Sequence, residues 1–150
     1  MQERNLTIYF TSDLHSYIYP TDYRSQEEKD LGLFKCASQF QKDGNTLVID
    51  GGDLLQGSPL GAFCHDTVGS AAQFAQIMNR CGYDYVTLGN HDFNYGMPYL
   101  DSYLDALRAR CVCENVRWAG GGVRFPARVH VLENGLRIGI VGIVTDYVNI

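Results

Sequence analysis

Several features are missing from this chain, and each absence removes a class of protein. No apolar run approaches the ~20 residues that a membrane-spanning helix needs. Basic charge is scarce: 12 Lys and Arg stand against 17 Asp and Glu, a formal charge of −5. Polymeric nucleic acid is therefore not an expected partner, because displacing counterions from a phosphate backbone needs a basic stripe. The five cysteines, Cys36, Cys64, Cys81, Cys111 and Cys113, form no disulfide ladder and no paired CxxC zinc framework. Their odd number favours a reducing compartment. No Gly-x-Gly-x-x-Gly follows the first apolar run and no P-loop occurs, which argues against a dinucleotide or P-loop nucleotide fold. The first apolar segment, Leu6 to Phe10, is too short for a signal-peptide core. A cytoplasmic setting is the expectation, with export if a leader preceded Met1.

The chain does have a core. Apolar residues make up 45% of its 150 residues and charged residues 19%, the balance of one globular domain. The pattern alternates strand, polar loop and helix. Leu6–Phe10, Thr46–Ile49 and Tyr85–Leu88 read as buried strands. Helices are expected over about Glu28–Lys42, Thr67–Arg80 and Pro98–Arg110 from their 3.6-residue apolar spacing, with Gly44 and Gly82 as stops. Cys111–Asn115 reads as a fourth strand. Asn134-Gly135 between Arg128–Leu132 and Leu136–Val144 signals a two-residue hairpin turn. Alternating strands and helices predict an α/β domain with parallel strands and its chemistry at their carboxyl ends, and the closing hairpin makes the sheets mixed. The chain stops at Ile150 without a turn or cap, which reads as a cut.

Three polar loops begin where a buried strand stops. The first carries Asp13 and His15, whose spacing on an extended backbone sends both side chains the same way. The second carries Asp53 after two glycines, and the third carries Asn90, His91 and Asp92 after Gly89. Each has a plain alternative: a capping aspartate, a Gly-Gly turn, or a β-turn with an exposed histidine. Taken together, carboxylate, imidazole and amide oxygen at one sheet edge suit Mn, Fe, Co, Zn or Ni. Two such ions need a shared carboxylate, and Asp53 in the central loop is the natural bridge. Tyr17, Tyr19 and Tyr23 can line the site or pack beneath it. Arg24, Lys29, Lys42 and Arg108 read as solvated charges.

These loops resemble the signatures of the calcineurin-like metallophosphoesterase superfamily. The strings Thr11–Ser16, Gly52–Leu60 and Gly89–Gly96 are similar to the 5′-nucleotidase family, most of all its 2′,3′-cyclic-nucleotide 2′-phosphodiesterase/3′-nucleotidase branch. The resemblance implies an α-β-β-α sandwich, here residues 1–150 as the N-terminal portion of the catalytic domain, without the C-terminal nucleotide-specificity domain. It implies two divalent metal ions, held by Asp13, His15, Asp53 and Asn90. His91 would be the catalytic histidine and Asp92 its partner, in hydrolysis of nucleotide phosphate esters by a metal-bound hydroxide. The family's further metal-binding histidines come from later segments, and His65 and His130 lie in no such motif, so they read as structural or exposed. The alternative is a truncated metal-binding or structural module with little or no turnover. A nucleotide or other small phosphoester is the expected substrate, with neither membrane nor nucleic-acid polymer as partner.

Overall fold

The short β-rich runs become strands, and the central one, Thr46–Asp50, is covered on both faces. In the computed structural model, which describes residues 3–25 and 27–148, strands β1 (Thr7–Thr11), β2 (Thr46–Asp50), β3 (Tyr85–Val86) and β4 (Arg110–Cys111) form one parallel sheet in the order β1-β2-β3-β4. Met1 and the Asn149–Ile150 end, expected as a start and a cut, lie outside the described residues. Leu47 and Val48 in β2 are both fully buried, because alternate residues face opposite sides of the sheet. Val48 joins Phe74, Ala75, Met78 and Leu100 from helices α3 (Ala72–Cys81) and α4 (Met97–Ala106). Leu47 joins Tyr85, Val112, Leu132 and Ile140 on the opposite face. Burying a side chain the size of Phe74 contributes about 1.5–3 kcal/mol.

The remaining strands pair as two antiparallel ribbons, β5 (Cys113–Arg117) with β6 (Val123–Phe125) and β7 (Arg128–Val131) with β8 (Arg137–Ile140). The mixed character expected from sequence is thus divided between separate sheets among the described residues.

Several boundaries differ from the sequence expectation. The helix expected over Glu28–Lys42 shrinks to α1 (Leu33–Ala37). Gly32 sits at φ 83° against the Tyr19 backbone, and Leu33 and Phe34 donate their N–H groups to Tyr17 and Ile18, so tertiary bonds replace the first helical turns. The helix expected over Thr67–Arg80 is α3, which starts later, at Ala72, because Thr67 and Val68 close a π turn (Cys64–Val68) that Gly69 ends at φ 69°; α2 (Pro59–Phe63), before that turn, lies where no helix is expected. Gly82 stops α3 as expected, at φ 79°. The third strand closes at Val86 and α4 at Ala106, and the expected Cys111–Asn115 strand divides between β4 and β5. The hairpin loop holds three residues rather than two. Gly135 donates to the Leu132 carbonyl at 2.9 Å with φ 79°, while Leu132 donates to Leu136. That is a type I turn closed by a left-handed glycine.

Candidate metal centre

The parallel order of β1, β2 and β3 delivers three loops to the carboxyl edge of the sheet, and backbone bonds lace them together. Gly51 donates to the Thr11 carbonyl at 2.7 Å, Asp13 to Gly52 at 2.9 Å and His15 to Asp53 at 2.8 Å. Ser16, fully buried, donates its hydroxyl to Leu54 and accepts at its carbonyl from Ser58. Satisfying buried backbone groups between loops in this way fixes the loops as one body.

Within it, one ligand atom each from Asp13, His15 and Asp53 lies within 4.8 Å of the other two. The route to that convergence is not the extended backbone expected for Asp13 and His15. Asp13 (φ 55°), His15 (φ 47°), Ser16 (φ 62°) and Asp53 (φ 57°) all occupy the left-handed region. Non-glycine residues seldom sit there, and they persist only where the surroundings impose it. The tight curl turns the two side chains inward instead of letting a strand carry them.

The donors fit a divalent cation. The Nδ1 of His15 lies 2.7 Å from the Gln56 carbonyl oxygen. A carbonyl only accepts, so that nitrogen carries the proton and Nε2 is left bare, the form a cation takes. Asp53 is buried while Asp13 is exposed, and together they supply hard oxygen donors beside that imidazole. The glycines are equally necessary. A Cβ on Gly52 would collide with the Gly89 backbone, and one on Gly89 with the Asp53 carboxylate.

Asn90 and His91 open the 3₁₀ turn Asn90–Phe93 that follows Gly89. The His91 N–H donates to Asp53 Oδ1 at 2.8 Å, which ties this turn to the cluster. The His91 ring stands edge-on to His15, with centroids 5.3 Å apart. Asp92 takes a different place from the one expected. Its carboxylate turns away from His91 and accepts the backbone N–H groups of Asp53 and Gly89 on Oδ2 and of Leu54 and Leu55 on Oδ1, at 2.9–3.0 Å. Adjacent residues on a 3₁₀ turn point in different directions, so Asp92 faces inward while His91 faces the loops. Burial pushes the Asp92 carboxyl up, and the N–H groups from Gly89, Leu55 and Asp53 oppose that. What faces the His91 Nδ1 is a pair of amides, Asn94 Nδ2 at 2.9 Å and Gln56 Oε1 at 3.2 Å.

A second buried carboxylate, Asp50, closes β2. It accepts from the Thr11 hydroxyl at 2.5 Å and from the Gly52 N–H at 3.0 Å, and burial raises its pKa to about 7. Gln56, Asn94, Ser16 and Asp50 are the positions that motif reading passed over. Gln56 and Asn94 lie inside the quoted strings but carry no charge to single them out.

Of the other candidates, Tyr17 borders the cluster and the rest make contacts elsewhere. His65 stacks on Tyr95 with ring centroids 4.0 Å apart, and His130 meets the Tyr85 hydroxyl at 3.2 Å. Tyr17 shares a groove of about 410 Å³ with Asp13 and Leu14, whereas Tyr19 packs on Phe34. Lys29 pairs with Asp22 and Lys42 with Asp84.

Comparison with known proteins places the chain in a family. The family model for the calcineurin-like phosphoesterase matches residues 6–146. The trifunctional nucleotide phosphoesterase YfkN of Bacillus subtilis is 35% identical over 161 residues, spanning 93% of this chain and 11% of that protein. Its crystal structure has a TM-score of 0.74 at 33% identity, covering 93% of this chain and 48% of that one. A 2′,3′-cyclic-nucleotide 2′-phosphodiesterase/3′-nucleotidase of Yersinia enterocolitica is 34% identical over 75% of this chain and 18% of its own length. A 5′-nucleotidase precursor of Thermus thermophilus has a TM-score of 0.66 at 30% identity, over 93% of this chain and 28% of that one. The chain thus spans less than a fifth of the length of these two curated relatives.

Proposed function

The chain belongs to the calcineurin-like phosphoesterase family, and from that premise we propose that it is the N-terminal portion of a domain that hydrolyses phosphate esters of nucleotides. The observation that carries this reading is the convergence of Asp13, His15 and Asp53 on loops held in left-handed conformation. In this proposal Asp13 and His15 would hold one divalent ion, Asn90 would serve a second and Asp53 would be shared between them; Mn, Zn, Fe, Co and Ni all suit the donors. Such ions, when bound, neutralise phosphoryl oxygens and acidify water.

The chain's own residues do the rest. His15, anchored through Nδ1, presents Nε2 at a fixed angle. Asp92 holds the Asp53 loop in register through backbone bonds. His91, one residue beyond Asn90, offers its outer ring nitrogen to the departing ribose oxygen, a hydrogen bond that strengthens as charge develops there.

Phosphate release from an aryl phosphate ester and from a panel of nucleotides, assayed with added divalent cations on this chain and on a longer one, tests the proposal. His91→Ala is expected to lower turnover about 100-fold or more with bound-metal content unchanged. Equal loss of metal and turnover would make His91 a ligand instead. A second reading, a metal-binding or structural module without turnover, is favoured by one observation: among the described residues the cluster joins Asp13, His15 and Asp53, and even with Asn90 added these are fewer donors than a closed pair of sites needs. Cation binding without phosphate release in either chain would establish it.

A further inference from the structure

The triangle of polar atoms beneath the His91 ring has an internal logic. Asn94 Nδ2 lies 2.5 Å from Gln56 Oε1 and 2.9 Å from His91 Nδ1, and the third side, Gln56 Oε1 to His91 Nδ1, is 3.2 Å. An amide nitrogen has two hydrogens and accepts nothing, whereas a carboxamide oxygen only accepts. The short edge therefore gives one Asn94 hydrogen to Gln56. Its second hydrogen is available to His91 Nδ1 at 2.9 Å, nearer than the 3.2 Å from that nitrogen to Gln56 Oε1, and the closer contact favours a bare Nδ1 over one that donates to Gln56. The ring's proton is left on Nε2, away from the triangle. The same Gln56 treats the other imidazole in the opposite way. Its main-chain oxygen accepts from His15 Nδ1, which leaves Nε2 bare there.

We propose that Gln56 is a positioning residue that sorts the two site histidines into opposite tautomers, its backbone oxygen holding His15 and its side-chain oxygen, through Asn94, holding the His91 proton on Nε2. A metal ligand has to present a lone pair, and a group serving a leaving oxygen has to present hydrogen. One residue at the tip of the second loop meets both needs. With a neutral amide in place of a carboxylate, His91 acts as an uncharged hydrogen-bond donor to the oxygen as the P–O bond breaks. The tautomer assignment stands on geometry alone; its catalytic consequence rests on the phosphoesterase reading.

The division between main chain and side chain sets the experiment. Long-range proton–nitrogen NMR of the four histidines is recorded on the ¹⁵N-labelled chain at one fixed pH, ~8, where an ordinary imidazole is neutral. The expected wild-type result is His15 protonated on Nδ1 and His91 on Nε2. In Gln56→Met the Asn94 amide is free to turn, so His91 moves toward the Nδ1 form while His15 keeps its tautomer, because methionine supplies the same carbonyl. Gln56→Glu restores an acceptor oxygen and returns His91 to the Nε2 form. Asn94→Asp, which has no hydrogen to give, forces His91 to Nδ1–H and serves as a test even if Gln56→Met folds poorly. A His91 ring that keeps its tautomer in Asn94→Asp and in a folded Gln56→Met overturns the proposal, and so does a change at His15 alongside it. In turnover, Gln56→Met is expected to lower kcat about tenfold for nucleotides with KM little changed, and less for an aryl ester whose leaving group needs no help. Absence of turnover in wild type would count against the phosphoesterase reading and leave the tautomer result intact.

Discussion

The carboxyl edge of the parallel sheet and the β7–β8 ribbon are inversions of one another. At the edge, charge is inside: Asp50, Asp53 and Asp92 are 1%, 9% and 3% exposed. On the ribbon, apolar groups are outside, with Val129 57% and Val131 55% exposed. Buried carboxylates are tolerable only where donors surround them, and here the donors are main-chain N–H groups of the loops, joined at Asp50 by the Thr11 hydroxyl. The lesson is that the edge depends on particular atoms at particular places, while the ribbon depends on strand pairing that many side chains support.

Substitutions can break or sharpen that contrast. The largest effect is expected from Asp92→Ala, which strips the acceptor from three buried N–H groups and a half-buried one. Losing it should cost about 4 kcal/mol or more, read as a lower denaturant midpoint. Asp92→Asn should recover only part of this, because its amide nitrogen must face N–H groups on one side. A loss below about 1 kcal/mol would show that the clamp does not hold the loops.

Asp50→Asn should change the pH dependence of stability. The Asp50 carboxyl is raised from 3.8 to about 7, so between these values the native state binds the proton more tightly than the unfolded chain. Stability contributed by this proton is fully present below 3.8, falls as pH rises through that window and levels off above about 7. The asparagine variant should lose this slope, with a relative gain on the order of 2–4 kcal/mol at high pH over low pH. Parallel urea curves for the two proteins across that range would contradict it. On the ribbon, Val131→Thr should shift stability by no more than about 0.5 kcal/mol; a thermal melt showing a larger loss would mean that the exposed valine is covered in solution.

The same contrast explains what could be read from sequence. Strands β1 and β2 were legible because β-rich apolar runs end abruptly in polar residues, and the site loops because Asp13, His15, Asp53 and Asn90 follow those ends. Asp92 was legible as important but not as a brace, since adjacent turn residues diverge in direction. Gln56 and Asn94 were silent because an amide gains meaning only from what it touches. The helix expected over Glu28–Lys42 failed where long-range bonds to Tyr17 and Ile18 outweigh local periodicity.

The left-handed torsions at Asp13, His15 and Asp53 narrow the alphabet at those positions independently of any ligand chemistry. Asn, Asp and His are among the few side chains that visit this region readily, and β-branched residues do so poorly. A descendant in which no ligand chemistry was needed would still keep Asn, Asp or His there on steric grounds alone. Asp→Asn is accordingly the substitution that changes charge while leaving the main chain undisturbed.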